Sequence, residues 1–173
     1  MQEISLSSPN LLLTWPLGLV DARAHVRRWL MDGGDPQALS TDGIPIWAQA
    51  MQAGHPDAVM ELIDAGANLN LRDPEGNGWL HWAIESGQST PLTLLGLARL
   101  DSHWHEANQH GLTPFHLPAI PLAVGQAMGV RFWAERKSWS SLLAHGDPVA
   151  LAEANGYPQL ASAWRYWRSL GKA

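Results

Sequence analysis

The chain has 173 residues, a net charge of −5, no cysteine and ten tryptophans. The lack of cysteine excludes disulfides and Cys-based zinc sites. An acidic balance with scattered Lys and Arg argues against nucleic acid as the main partner, because phosphate binding needs a basic stripe.

In chain order, residues 1–18 read as a lead-in with turns at Ser7, Ser8, Pro9 and Pro16, and residues 11–20 (LLLTWPLGLV) form an apolar run. That run is too short to span a membrane. Glu3 is the one charged side chain before it, so no signal peptide is expected, and the segment is expected to pack on the first unit of a soluble, cytoplasmic protein. Asp21 can cap a helix running to about Asp32, with Val26, Trp29 and Leu30 inward and Arg23, Arg27 and Arg28 outward. These arginines are expected to solubilise the end of an array.

Residues 36–42 read as a turn and residues 44–53 as a helix. The stretch 54–70 (GHPDAVMELIDAGANLN) then carries its own start and stop signals. Pro56 suits a first helical position and Asp57 opposes the helix dipole. Val59, Leu62 and Ile63 make one apolar stripe, and Gly66 ends the helix. Asp73-Pro74-Glu75-Gly76 is a turn, and helices are expected over 79–86 and 91–99. Residues 100–110 (LDSHWHEANQH) make a longer connection. Beyond Gly111, Pro118 and Pro121 predict a shortened or shifted helix, followed by a long helix over 131–144 with Phe132, Trp139, Leu142 and Leu143 inward. Residues 149–170 read as two short helices separated by Gly156-Tyr157-Pro158, with Trp164, Tyr166 and Trp167 as packing and rim.

A helix as short as that starting at Pro56 is unstable alone, so copies of it are expected. Val26, Trp29, Leu30 and Gly33 lie 33 residues before Val59, Leu62, Ile63 and Gly66; Leu92 and Leu95 lie 33 after Val59 and Leu62. Trp139, Leu142, Leu143 and Gly146 repeat the same internal spacing. A second pattern runs through residues 43–55 (GIPIWAQAMQAGH), 76–88 (GNGWLHWAIESGQ) and 111–119 (GLTPFHLPA). Its glycines, Gly43, Gly76 and Gly111, are 33 and 35 residues apart. Over roughly residues 19 to 165 the sequence resembles the ankyrin-repeat family, whose units carry G-x-T-P-L-H-x-A-A-x-x-G-H at about this period.

The resemblance implies an all-α ankyrin-repeat solenoid with atypical N- and C-terminal caps, forming a single domain over residues 1–173. Residues 1–42 would be the N-terminal cap and first outer helix, 43–147 three central repeats, and 148–173 the C-terminal cap. It further implies a protein-binding scaffold that presents fingers and inner helices as a concave surface, though a fold does not name a partner. On that surface the expected partner-binding residues are Gln49, Gln52, Arg72, Glu75, Asn77, Trp82, Glu85, Trp104, His105, Gln109 and His110. Trp82 is singled out because it takes the variable position between the motif His and Ala, and Trp104 because it sits in the longer loop. Trp29, Trp47 and Trp139 are expected in the core.

His103, His105, His110 and His116 fall within fourteen residues and raise the alternative of a metal-dependent activity. Against it, His81 and His116 occupy the motif histidine, which the resemblance implies is structural. The sequence has no H-E-x-x-H helix, no G-x-S-x-G elbow and no phosphate-binding glycine loop, so no catalytic residue, metal ligand or cofactor is assigned. The expected function is a non-enzymatic module, monomeric when unbound, that masks one cognate protein such as a toxin or effector, as an immunity or antitoxin-like protein does. No nucleic acid and no membrane partner is expected. A secreted bacterial effector that binds a host protein is the competing binding role, and a purely structural subunit of a larger complex is a third. Abundant Trp, Ala and His with few Lys suit a high-GC bacterial source.

Overall fold

Short amphipathic helices gain stability by stacking, and the computed structural model, which describes residues 20–170, shows them stacked in two rows. The lead-in expected over residues 1–18 lies outside the described residues. The outer row is α1 (Ala22–Met31), α3 (Pro56–Asp64), α5 (Thr90–Leu97), α6 (Leu122–Ala134) and α9 (Pro158–Leu170). The inner row is α2 (Ile46–Gln52), α4 (Trp79–Glu85), a 3-10 turn (Pro114–His116) and α8 (Pro148–Ala154). Outer helices pack α1 on α3, α5 on α6 and α6 on α9, and α2 packs on α4 in the inner row. A short extra helix, α7 (Trp139–Leu143), lies between α6 and α8.

Local sequence explains the helix ends. Asp21 Oδ1 accepts the Ala24 N–H at 2.8 Å and caps α1. Pro56 opens α3, which buries Ala58, Val59, Leu62 and Ile63. The chain leaves α3 through Gly66, whose φ of +85° puts it in the left-handed region.

Indoles fill much of the core, and small residues face them. Trp47 and Trp79 pack with ring centroids 5.2 Å apart. A Cβ on Gly96 would lie 2.0 Å from the Trp79 indole nitrogen, and one on Gly34 would lie 2.3 Å from Trp29. Towards the C-terminus, Phe115 is fully buried and touches Phe132 and Trp164 at 5.3 Å and Trp104 and Trp139 at 5.8 Å.

The third unit departs from the expected pattern. Its inner helix is a single 3-10 turn, because Pro118 holds Leu117 in extended backbone at ψ 142°. The long helix expected over 131–144 does not form. The outer helix runs earlier, from Leu122, and ends where Arg136 turns left-handed at φ +53°. Phe132 and Leu142 are buried and Trp139 is half-buried, but Leu143 is exposed. Arg136 therefore takes the place that Gly66 has after α3. Gly146 starts the next inner helix instead, with Asp147 Oδ1 accepting the Val149 N–H at 3.0 Å. The C-terminal pair is present, but α9 has 13 residues and is a full outer helix, seated where Gly125 and Gly129 make room for Leu160 and Trp167.

The arginines of α1 do more than solubilise. Arg23 and Arg27 both hold Glu61 of α3, at 2.8 and 2.9 Å. Their hydrogen bonds push the Glu61 carboxyl down to about 2.

Two glycine exchanges should act in opposite directions. Gly96→Ala drives a methyl into a rigid indole and should lower stability by about 1–3 kcal/mol. Arg136→Gly relieves a left-handed non-glycine residue and should raise it by about 1 kcal/mol. Urea denaturation midpoints check both; a stabilised Gly96→Ala would contradict the packing described.

Candidate functional site

Three finger turns are built by one device with three different side chains. In each, a side-chain oxygen accepts the N–H groups two and four residues further on. Ser40 Oγ takes Asp42 and Ile44 at 3.2 and 3.0 Å. Asp73 Oδ1 takes Glu75 and Asn77 at 3.0 and 2.8 Å. Asn108 Oδ1 takes His110 and Leu112, both at 3.0 Å. Three residues after each stands a glycine with positive φ, Gly43, Gly76 and Gly111, whose N–H closes the turn on the Ser40, Asp73 or Asn108 carbonyl. The signal was present in the sequence as Ser, Asp or Asn three places before each glycine; the turn at Asp73 was read from it, but its recurrence at Ser40 and Asn108 was not.

The second and third fingers are tied to each other. Asn108 Nδ2 donates to Asn77 Oδ1 at 2.7 Å, and the Gln109 N–H donates to Glu75 O at 2.8 Å. From beneath, the motif histidines join one unit to the next. His81 Nδ1 accepts the Gly78 N–H at 3.2 Å, so its Nε2 carries the proton and donates to Leu112 O at 2.9 Å. His116 repeats this, with Nδ1 against the Thr113 hydroxyl at 2.7 Å and Nε2 against Gly146 O at 3.2 Å. Burial pushes both histidines below their ordinary range.

The expected partner-binding residues divide into three groups. Gln52, Glu75, Glu85, Gln109 and His110 are exposed along the fingers and inner helices. Arg72, Trp82 and His105 are half-buried. Gln49, Asn77 and Trp104 are buried, at 8, 8 and 5 % exposure, and this corrects their assignment to an accessible surface. Asn77 is inward because it joins two fingers, and Gln49 because its amide donates to Ile44 O at 3.0 Å. Trp104 is inward because the long connection is fastened down. Its indole N–H reaches the Glu135 carboxylate at 3.2 Å, while Arg131 lies 5.4 Å over its ring and donates to the Leu97, Leu100 and Asp101 carbonyls. Arg72 is likewise structural in part, donating to Gly76 O at 2.9 Å and His103 O at 2.7 Å. Trp82 packs against the core with its indole nitrogen buried, so it is less open than its position suggested.

The histidine group does not converge. His116 is buried with both ring nitrogens engaged, His103 pairs with Glu106 at 2.7 Å, and His110 faces Glu75 at 3.6 Å. His105 packs on Phe132 at 5.3 Å. Among the described residues, no three His, Cys, Asp or Glu side chains form a group able to hold a metal ion.

The histidine links set a pH dependence. His81 and His116 are held neutral, so the unfolded chain binds more protons once pH falls below the ordinary histidine value of about 6.5. Stability from this source is complete above that pH and declines below it. Urea midpoints at pH about 7.5 and about 5.5 should differ, with the lower pH less stable; equal midpoints would contradict the buried neutral state. Arg72→Ala should also lower the unfolding free energy, read from the urea midpoint, by about 1–3 kcal/mol for two lost charged hydrogen bonds that are partly exposed.

Residues 44–74 match the sequence model of the ankyrin repeat. The chain is also similar to human Rabankyrin-5, with 33 % identity over 82 residues that cover 47 % of this chain and 7 % of that protein. The chain thus spans a small fraction of that relative's length. This match, the 33-residue period, the two rows of stacked helices and the repeated fingers together support an ankyrin-repeat protein.

Proposed function

We propose that this chain is a non-enzymatic module that holds one cognate protein on the face made by its fingers and inner helices, and that it acts in the cytoplasm by masking that protein, in the manner of an immunity or antitoxin-like partner. Ankyrin repeats indicate protein–protein interaction, and the finer statement is supported by the build of the face. Its backbone is fixed by internal hydrogen bonds, while Asp42, Glu75, Gln109 and His110 remain exposed at the tips. A surface ordered before binding loses little entropy on binding, which favours a dedicated partner. Among the described residues no helix is long and apolar enough to cross a membrane.

The test is capture from a lysate of the native source with the tagged chain, compared with the Glu85→Ala/His110→Ala variant and with Gln126→Ala on the outer helix α6. One protein retained in about equal amount by wild type and Gln126→Ala, and lost by the double variant, is the expected result. Equal retention by all three would move the binding surface elsewhere.

A further inference from the structure

Positive charge in this solenoid is confined almost entirely to one row. Every described Lys and Arg but one lies on α1, α6 or α9, or in the turns that follow α5 and α6. The exception, Arg72, gives its guanidinium to the Gly76 and His103 carbonyls and sits 3.7 Å from Glu106. The inner helices α2 (IWAQAMQ) and α4 (WLHWAIE) contain no cation. The fingers and inner helices of the first two units carry Asp42, Asp73, Glu75 and Glu85. In the fourth unit the acids are matched instead, Asp147 by Arg168 at 3.1 Å and Glu153 by Arg165. The unmatched negative field therefore lies over the first units. Glu85 registers it: burial, and then the charges of Asp73 and Glu75, push its carboxyl up.

A second feature lies on the same row. Trp82 and Glu85 are three residues apart on α4 and so share a helix face. On the neighbouring α2, Gln49 holds the same repeat position as Trp82. Gln49 is buried, so the open part of this face lies on α4. An aromatic face beside a carboxylate suits a side chain that brings positive charge and N–H donors.

We propose that the cognate partner presents a basic segment to this face, with one Arg or Lys side chain lying over Trp82 and its charge against Glu85. The inference rests on the finger-face reading above and adds the chemistry of what binds there. Complementary fields of this kind favour encounter and exclude acidic competitors, nucleic acid among them. A divalent cation is the poorer fit, since no three acidic or histidine side chains converge among the described residues.

The probe is a fluorescein-labelled hexa-arginine peptide with a hexa-glutamate counterpart, titrated by anisotropy against the full chain at low salt and at about 0.15 M salt. Hexa-arginine should bind, more weakly as salt rises, and hexa-glutamate should not. Glu75→Gln/Glu85→Gln should lose about tenfold or more in affinity, whereas Asp57→Asn/Asp64→Asn, which removes equal charge from α3, should leave it unchanged. Equal losses in the two variants would overturn the proposal by reducing it to attraction to net charge, and so would the absence of hexa-arginine binding. The captured cognate protein separates the two levels of inference. Its retention by Glu75→Gln/Glu85→Gln and loss from Gln52→Trp, which adds bulk to the same face, would overturn the basic segment and leave the finger-face reading standing. Retention by both would overturn the reading itself.

Discussion

A side-chain oxygen that takes two backbone N–H groups is the interaction on which the rest of the exposed face depends. Ser40, Asp73 and Asn108 make it in turn, and each lets a finger close without a β-sheet to supply partners. Once closed, the fingers offer carbonyls and amides to their neighbours. The Leu112 carbonyl receives His81, and the Glu75 carbonyl receives the Gln109 N–H. Local turn chemistry thus becomes an array, and the array leaves Asp42, Glu75, Gln109 and His110 exposed at its tips.

The third unit shows what happens when one element of the repeat fails. Pro118 ends the inner helix after one turn, and the space is closed by aromatic packing around Phe115. The chain then uses a 13-residue outer helix, α6, to reach both α5 and α9. Arg131 on that helix fastens the long connection before the third finger. Loss of an inner helix is thereby offset by an outer helix and a side-chain anchor, and the stack continues.

Period, glycines and caps were legible because they express backbone geometry, which each residue reveals locally. The helices starting at Pro56 and Trp79 fall where the pattern put them. The 131–144 stretch was misread because Trp139, Leu142, Leu143 and Gly146 reproduce the helix-and-glycine spacing by coincidence, while the true helix stop is Arg136 in a conformation its residue type disguises. Burial of Gln49, Asn77 and Trp104 was not legible either. A polar residue or a loop tryptophan goes inward only when a distant partner satisfies it, as Asn108 does for Asn77 and Glu135 for Trp104. The confinement of nearly all Lys and Arg to the outer row needed the structure as well, since along the chain they look scattered.

The fingers form one preformed surface, and amide hydrogen exchange on the free chain tests that most directly. The Asn77 and Leu112 N–H groups should be protected in the wild type. Asn108→Ala should speed exchange in the third finger and also at Asn77 and Glu75 in the second, while Val59 and Leu62 in α3 stay protected. Fast exchange at the fingers of the wild type, or a change confined to the third finger, would contradict a surface held together before binding.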